Sequence, residues 1–299
     1  MKNRPKLQKS CRATSKSQDP AQGVSADSRV TRRHAHFGVL ALAVVASTTA
    51  SQAQAQTGRP LEGPVKDAVF NAFKQAAEKS KAPVLLRLAF HDAATHRVSQ
   101  GDGGANASIQ YEFERPENTG LKRGWRVIEK VMERLKGTPA EGVVSYADLI
   151  ALGGAYAVAV TGGPVIDIPI GRRDTAVPDP TDRLPEETLS AEALRLHFAA
   201  MGMSPRELVA LSGAHTLGSK GYGDPVTFDN VYYTALLKKP WDDPSNSMAS
   251  MIGLPSDHVL PDDPECRPVI EAYAASQQKF FQDFGMAYAK LTMLGAEWM

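Results

Sequence analysis

Cysteine is almost absent from this chain. Cys11 and Cys266 are the only two among 299 residues. They fall in regions of different character, so the body of the protein cannot close an internal disulfide. Net charge is nearly absent too, at +1, but it is unevenly spread: residues 1–55 carry +7 and the remainder −6. An acidic body argues against nucleic acid as a partner. Long apolar runs are missing except at residues 37–46, and that run is too short to span a bilayer comfortably. There is no internal repeat and no alternating strand–helix pattern. The absence of a Cys pair, of H-E-x-x-H and of G-x-S-x-G leaves no competing catalytic site.

Residues 1–36 are basic, poor in acids and dotted with Ser10, Ser15, Ser17, Ser25 and Ser28. That composition resembles an organelle transit peptide. Arg32-Arg33 then precedes the apolar run 37–46 and the small-residue stretch ending Ala53-Gln54-Ala55, which reads as an n-region, an h-region and an A-x-A cleavage site with a twin-Arg flavour. The expected organisation is a targeting leader over 1–55 and one domain over 56–299, with no stable membrane anchor after cleavage. A transit-like part followed by a signal-like part resembles the bipartite leaders of chloroplast proteins sent to the thylakoid lumen. A stromal address, or export by a Tat or Sec signal, are the alternatives.

The body reads as mostly α. Helical spacing covers residues 63–80, 84–95 and 121–136. Ser145 with Asp148 three residues on looks like a capping box opening an apolar, central helix that ends at Thr161-Gly162-Gly163-Pro164. Residues 165–170 could form a short strand. Further helices are expected at 190–201, from Ser204-Pro205 through 208–218, at 227–239, at 268–276 and at 277–296, with loops at 171–185, 219–226 and 248–258. The pair Arg172-Arg173 beside Asp174 reads as loop salt bridges.

Five histidines lie in the body: His91, His96, His197, His215 and His258. His96 and His197 lack support and read as packing or surface residues. His91 has Arg87 four residues before it, on the same helix face. An always-charged donor fork beside a group that can take and give a proton is a chemical tool. His215 sits among Ala210, Ser212, Gly213 and Ala214, a clearing wide enough for something flat. Two such helices far apart in sequence suggest a slot for a planar cofactor. A haem iron held by one histidine needs an open opposite side, and a ligating histidine usually donates its other N–H to a carboxylate, for which Asp257 is available.

Arg-Leu-Ala-Phe-His-Asp-Ala at 87–93 and Leu-Val-Ala-Leu-Ser-Gly-Ala-His-Thr-Leu-Gly at 208–218 resemble the distal and proximal motifs of plant, fungal and bacterial-type haem peroxidases. The patterns at 145–148, 161–164 and 254–257 are similar to those of class I, and residues 214–225 and 250–258 resemble most the ascorbate peroxidase-related proteins of plants and algae. The resemblance implies a mostly α fold whose two helical halves sandwich haem b. It makes His215 the iron ligand and Asp257 the acceptor of its Nδ1 proton. His91 becomes general base and then acid toward hydrogen peroxide, and Arg87 stabilises the negative charge on the leaving oxygen. Asn118 holds the other nitrogen of His91, with Glu112 behind it. Phe90 walls the distal pocket where ascorbate peroxidase has tryptophan. Thr216 and Asp229, with Asp224 or Thr227, match a monovalent or divalent cation site.

Two departures bear on the reductant. The segment after the proximal histidine is roughly ten residues shorter than the family pattern, short loops being the usual site of such change. It lacks the tryptophan under the haem and the arginine that binds ascorbate. Gly221 also stands where a histidine near a haem propionate is expected, with Lys220 as a substitute. The expected activity is therefore reduction of hydrogen peroxide with one-electron donors, phenolic or ascorbate but not strictly ascorbate, in peroxide detoxification and the oxidative stress response. The oxidised protein would then hold its second equivalent on the porphyrin or on a tyrosine such as Tyr222. The opposing reading is a haem-free lumenal binding or structural protein that keeps the fold. Against it, Arg87, His91, His215 and Asp257 are all retained, and buried unpaired charges are destabilising.

Overall fold

A computed structural model describes residues 58–299. The expected leader and its cleavage site lie outside the described residues. Ten α-helices occur among them: α1 Gly63–Ala76, α2 Ala82–Ala93, α3 Lys122–Arg134, α4 Tyr146–Val160, α5 Ala191–Ala200, α6 Pro205–Ser212, α7 Val231–Lys238, α8 Pro255–His258, α9 Arg267–Ala275 and α10 Gln277–Leu291. No sheet forms among the described residues, only isolated bridges such as Arg59 with Ile170 and Arg172 with Trp298. None of these helices is long and apolar enough to cross a membrane.

Helix α4 is the central element of the first half. Its start is closed reciprocally: the Ser145 hydroxyl accepts from Asp148 N at 3.0 Å and the Asp148 carboxylate accepts from Ser145 N at 3.2 Å. Apolar and small residues on all sides let it be buried along its length. Helix α2 packs along it. Gly154 leaves room for the Tyr288 ring of α10, whose hydroxyl donates to Ala151 O at 2.8 Å. In the second half α6 packs against α10, and α7 against α9.

Several expectations need correction. Residues 165–170 do not form a strand: Pro164 and Pro169 remove donors, and only Ile170 finds a partner. The helix expected over 208–218 ends at Ser212 and tightens into a 3₁₀ turn, Gly213–Thr216, which carries His215. The next helix begins at Val231 rather than 227, and the last ends at Leu291 rather than 296. The loop expected at 248–258 contains α8. Arg172 is not in a loop salt bridge with Asp174. It is fully buried, bonded to Asp148 at 2.9 Å, to Thr292 O at 2.8 Å and to Pro169 O at 2.6 Å, with its guanidinium 4.9 Å from the Trp298 ring. Asp174 instead accepts from Tyr146 N and Ala147 N at the start of α4, where a carboxylate meets the free N–H groups and the helix dipole.

Candidate active site

A cavity of about 910 Å³ lies between α2 and the segment running from α6 through the His215 turn. Arg87, Phe90 and His91 line it from α2; Ser212, Ala214 and His215 line it from the other side; Leu86, Leu211 and Phe284 are among its apolar walls. Arg87 and His91 both point into it because i and i+4 share a helix face. Phe90 lies beside His91, ring centroids 6.0 Å apart.

Arg87 is not sunk in the core but exposed along the cavity. Its Nη1 and Nη2 donate to Thr119 O at 2.9 Å and Glu117 O at 2.6 Å, while its Nε reaches His91 Nε2 at 3.2 Å. His91 Nδ1 meets Asn118 Oδ1 at 2.8 Å. That bond assigns the proton to Nδ1 and leaves the Nε2 lone pair facing Arg87. Burial first, and then the Arg87 charge, push the His91 pKa down to about 3 against the opposing Asn118 bond. Its ring is therefore neutral, the form a base requires. Asn118 is fixed in turn by donating to Glu112, but to the backbone carbonyl at 3.1 Å. The Glu112 carboxylate, expected behind Asn118, instead accepts from Asp179 N at 2.8 Å and pairs with Arg115 at 2.9 Å.

Across the cavity, His215 Nδ1 bonds Asp257 Oδ1 at 2.8 Å. With its proton committed there, the ring presents Nε2 as a lone pair, for which no hydrogen-bond donor occurs among the described residues. This donor set fits an iron ligand oriented by a carboxylate, and the apolar cavity walls fit a flat aromatic macrocycle. Asp257 also accepts from Leu254 N at 2.9 Å, Tyr232 OH at 2.8 Å and Tyr222 OH at 3.3 Å. Burial alone would raise its pKa, but His215 and these donors outweigh burial and hold it below the ordinary carboxylate range. Gly253 makes the Tyr222 contact possible: its φ of +75° suits glycine, and a Cβ there would overlap the Tyr222 hydroxyl.

The sequence reading missed Tyr232, whose apolar neighbours make it look like core. It also misjudged Gly213. That glycine faces the Tyr233 hydroxyl and the Phe280 ring, so it seats the turn rather than widening the slot. His197 is not without partners: its Nε2 lies 2.8 Å from Arg183 O and 3.0 Å from Arg97 Nη2. His258 stacks on Trp241 at 4.0 Å. Of the cation residues, Thr216 donates to Asp229 at 2.8 Å and Thr227 to Asp224 at 2.7 Å, as two separate pairs. No cluster of three His, Cys, Asp or Glu side chains with metal-ligand geometry occurs among the described residues.

One cavity thus brings together a neutral histidine beside a fixed guanidinium and, across from it, a second histidine bonded to a buried carboxylate. Residues 65–276 match the family described as Peroxidase, and the chain belongs to that family. A protein of Arabidopsis thaliana named "Putative L-ascorbate peroxidase 6" is 50% identical over 228 residues, covering 76% of this chain and 68% of that protein. The cytosolic L-ascorbate peroxidase 1 of Oryza sativa subsp. japonica is 40% identical over 232 residues, covering 73% and 88%. Within the family this is a class I peroxidase related to ascorbate peroxidases, an enzyme acting on hydrogen peroxide. Peroxidases of this family bind haem.

Proposed function

We propose that the protein reduces hydrogen peroxide by acid–base chemistry at Arg87 and His91, on a haem b held from the other side by His215. The observation that carries this is the pair of oriented histidines lining one cavity: His91 held at Nδ1 by Asn118, and His215 held at Nδ1 by Asp257. When bound, the haem would supply redox-active iron and the oxidising equivalents passed to the donor. His91 Nε2 takes a proton from hydrogen peroxide and returns it to the leaving oxygen. Asn118 keeps that nitrogen free. Arg87 stabilises the negative charge that develops as the O–O bond breaks, Asp257 keeps the His215 ring oriented, and Phe90 walls the peroxide side. The test is a Soret band in the purified protein and its loss in His215→Ala. No band after haem reconstitution would favour the haem-free binding protein instead.

The residues at the cavity edge bear on the choice of reductant. Residues 219–226 contain no arginine, and the cavity is lined there by Gly218, Ser219 and Lys220, with Lys81, Arg123, Glu117 and Glu187 nearby. This mixed rim supports small one-electron donors without strict dependence on ascorbate. The names of the relatives and the cationic Lys81 and Lys220 favour a second reading, in which ascorbate is the donor. A steady-state comparison decides between them: the first expects phenols to match or exceed ascorbate in kcat/KM, and a strong preference for ascorbate would establish the second. Such turnover suits peroxide detoxification under oxidative stress, tested by peroxide sensitivity of cells lacking the protein. The leader composition supports delivery to the chloroplast, in the thylakoid lumen, with stroma or export as alternatives; imaging of a fluorescent fusion distinguishes them. A cation at Thr216 and Asp229 would have one hydroxyl and one carboxylate among its ligands, and a chelator should lower Tm if it is bound.

A further inference from the structure

Three tyrosines run in contact away from His215, and a fourth, Tyr222, branches from the first of them beside Asp257. The Tyr232 ring stands edge-on to the His215 ring at 6.0 Å, and Tyr222 packs against Tyr232 at 5.0 Å. Tyr233 follows Tyr232 at 5.0 Å, and Tyr273 follows Tyr233 at 5.1 Å. All four are buried. Packing alone does not call for phenols, because the adjoining cluster of Phe228, Phe280 and Phe284 fills the same core without hydroxyls. Each buried hydroxyl needs an acceptor that a phenylalanine would not.

The acceptors differ along the row. Tyr222 and Tyr232 donate to Asp257, which already accepts from His215 and Leu254 N. Tyr233 donates to the carbonyls of Val209 and Ala210, and an amide carbonyl does not take up a proton. Tyr273 alone ends on a carboxylate away from the haem ligands: its hydroxyl donates to Asp283 Oδ2 at 2.7 Å. Asp283 also pairs with Arg206 at 2.6 Å, and the Arg206 side chain is half exposed.

We propose that Tyr273 is a remote one-electron oxidation site, fed through Tyr233 and Tyr232; this rests on the peroxidase reading above. Peroxide reduction supplies the oxidant. One electron leaves Tyr273 along the row toward the His215 side. The phenolic proton passes to Asp283, leaving a neutral tyrosyl radical and a carboxylic acid. A one-electron donor arriving at the Arg206 face returns an electron, Asp283 returns the proton to Tyr273, and the donor's own proton goes to solvent. Tyr233, with no proton acceptor, is a bridge and not a resting place.

The test is freeze-quench electron paramagnetic resonance of holoenzyme mixed with hydrogen peroxide in the absence of reductant. The variants are Tyr273→Phe, which keeps the ring, Asp283→Asn, which removes the proton acceptor, and Tyr111→Phe, an exposed tyrosine outside the row. The expected result is a tyrosyl signal in wild type and Tyr111→Phe that is lost in Tyr273→Phe and Asp283→Asn, all four with the same Soret band. An unchanged signal in Tyr273→Phe, or no tyrosyl signal in a wild type whose Soret band responds to peroxide, overturns the remote site alone. Absence of a Soret band in the wild type overturns the haem reading with it.

Discussion

His91 is a histidine that stays neutral far below its ordinary range. Its conjugate acid forms near pH 3 because burial and the Arg87 charge both oppose the proton. The rate of peroxide cleavage should therefore show no His91 limb near pH 6.5, which a stopped-flow pH profile checks. The same shift acts on stability. The unfolded chain takes up this proton first, so the contribution is present above pH 6.5 and lost as pH falls toward 3. His91→Leu should slow peroxide cleavage by about 10²- to 10⁴-fold, and Arg87→Leu by about 10²- to 10³-fold, each with a Soret band retained. Asp92, next in sequence and turned away by about 100° around the helix, has the reverse behaviour. Burial pushes its carboxyl up to about 8 although it accepts from Ala107 N and Ile109 N. Its folded pKa is raised, so stability is fully present below its ordinary 3.8 and is lost progressively as pH rises from there to about 8. Asp92→Asn should raise Tm relative to wild type at alkaline pH, with the gain shrinking as pH falls through this window and smallest below it, as thermal melts across pH check.

At the scale of elements, the site depends on short pieces of chain held at their ends. The capping box at Ser145 was legible because its side chains and their partners lie within one turn, and Ser145→Ala should cost about 1 kcal/mol in denaturant unfolding. The turn carrying His215 was less legible. Its apolar run continues the α pattern to Leu217, yet the chain tightens at Gly213, where Tyr233 and Phe280 press from another element. Sequence spacing carries no record of that pressure. The Gly253 corner is similar. Gly253→Ala should be strained at φ +75° and displace Tyr222 from Asp257, seen as a lower Tm and an altered iron–histidine stretching band.

At the scale of the whole molecule, the buried Arg172–Asp148 pair ties the start of α4 to the chain after α10. Removing one partner leaves the other charge buried without compensation. Arg172→Met should thus cost about 3–5 kcal/mol, measured by denaturant unfolding, without direct contact to the cavity. Nothing in the local sequence separates this arginine from Arg173 beside it. Both follow Gly171 in an irregular stretch, and only the course of the chain decides that one enters the core.

The sequence by itself determined which polar residue types line the cavity, because Arg87 and His91 are related by helix periodicity and the two motifs occur together. It also determined the mostly α class, through apolar spacing and caps that act within a turn or two. Only the tertiary structure decided which donors converge on Asp257, that Glu112 turns away to Arg115 and Asp179, and that residues 165–170 find no strand partner. Those outcomes depend on contacts between segments far apart in the chain, whose positions are set by packing the whole core and not by any local pattern.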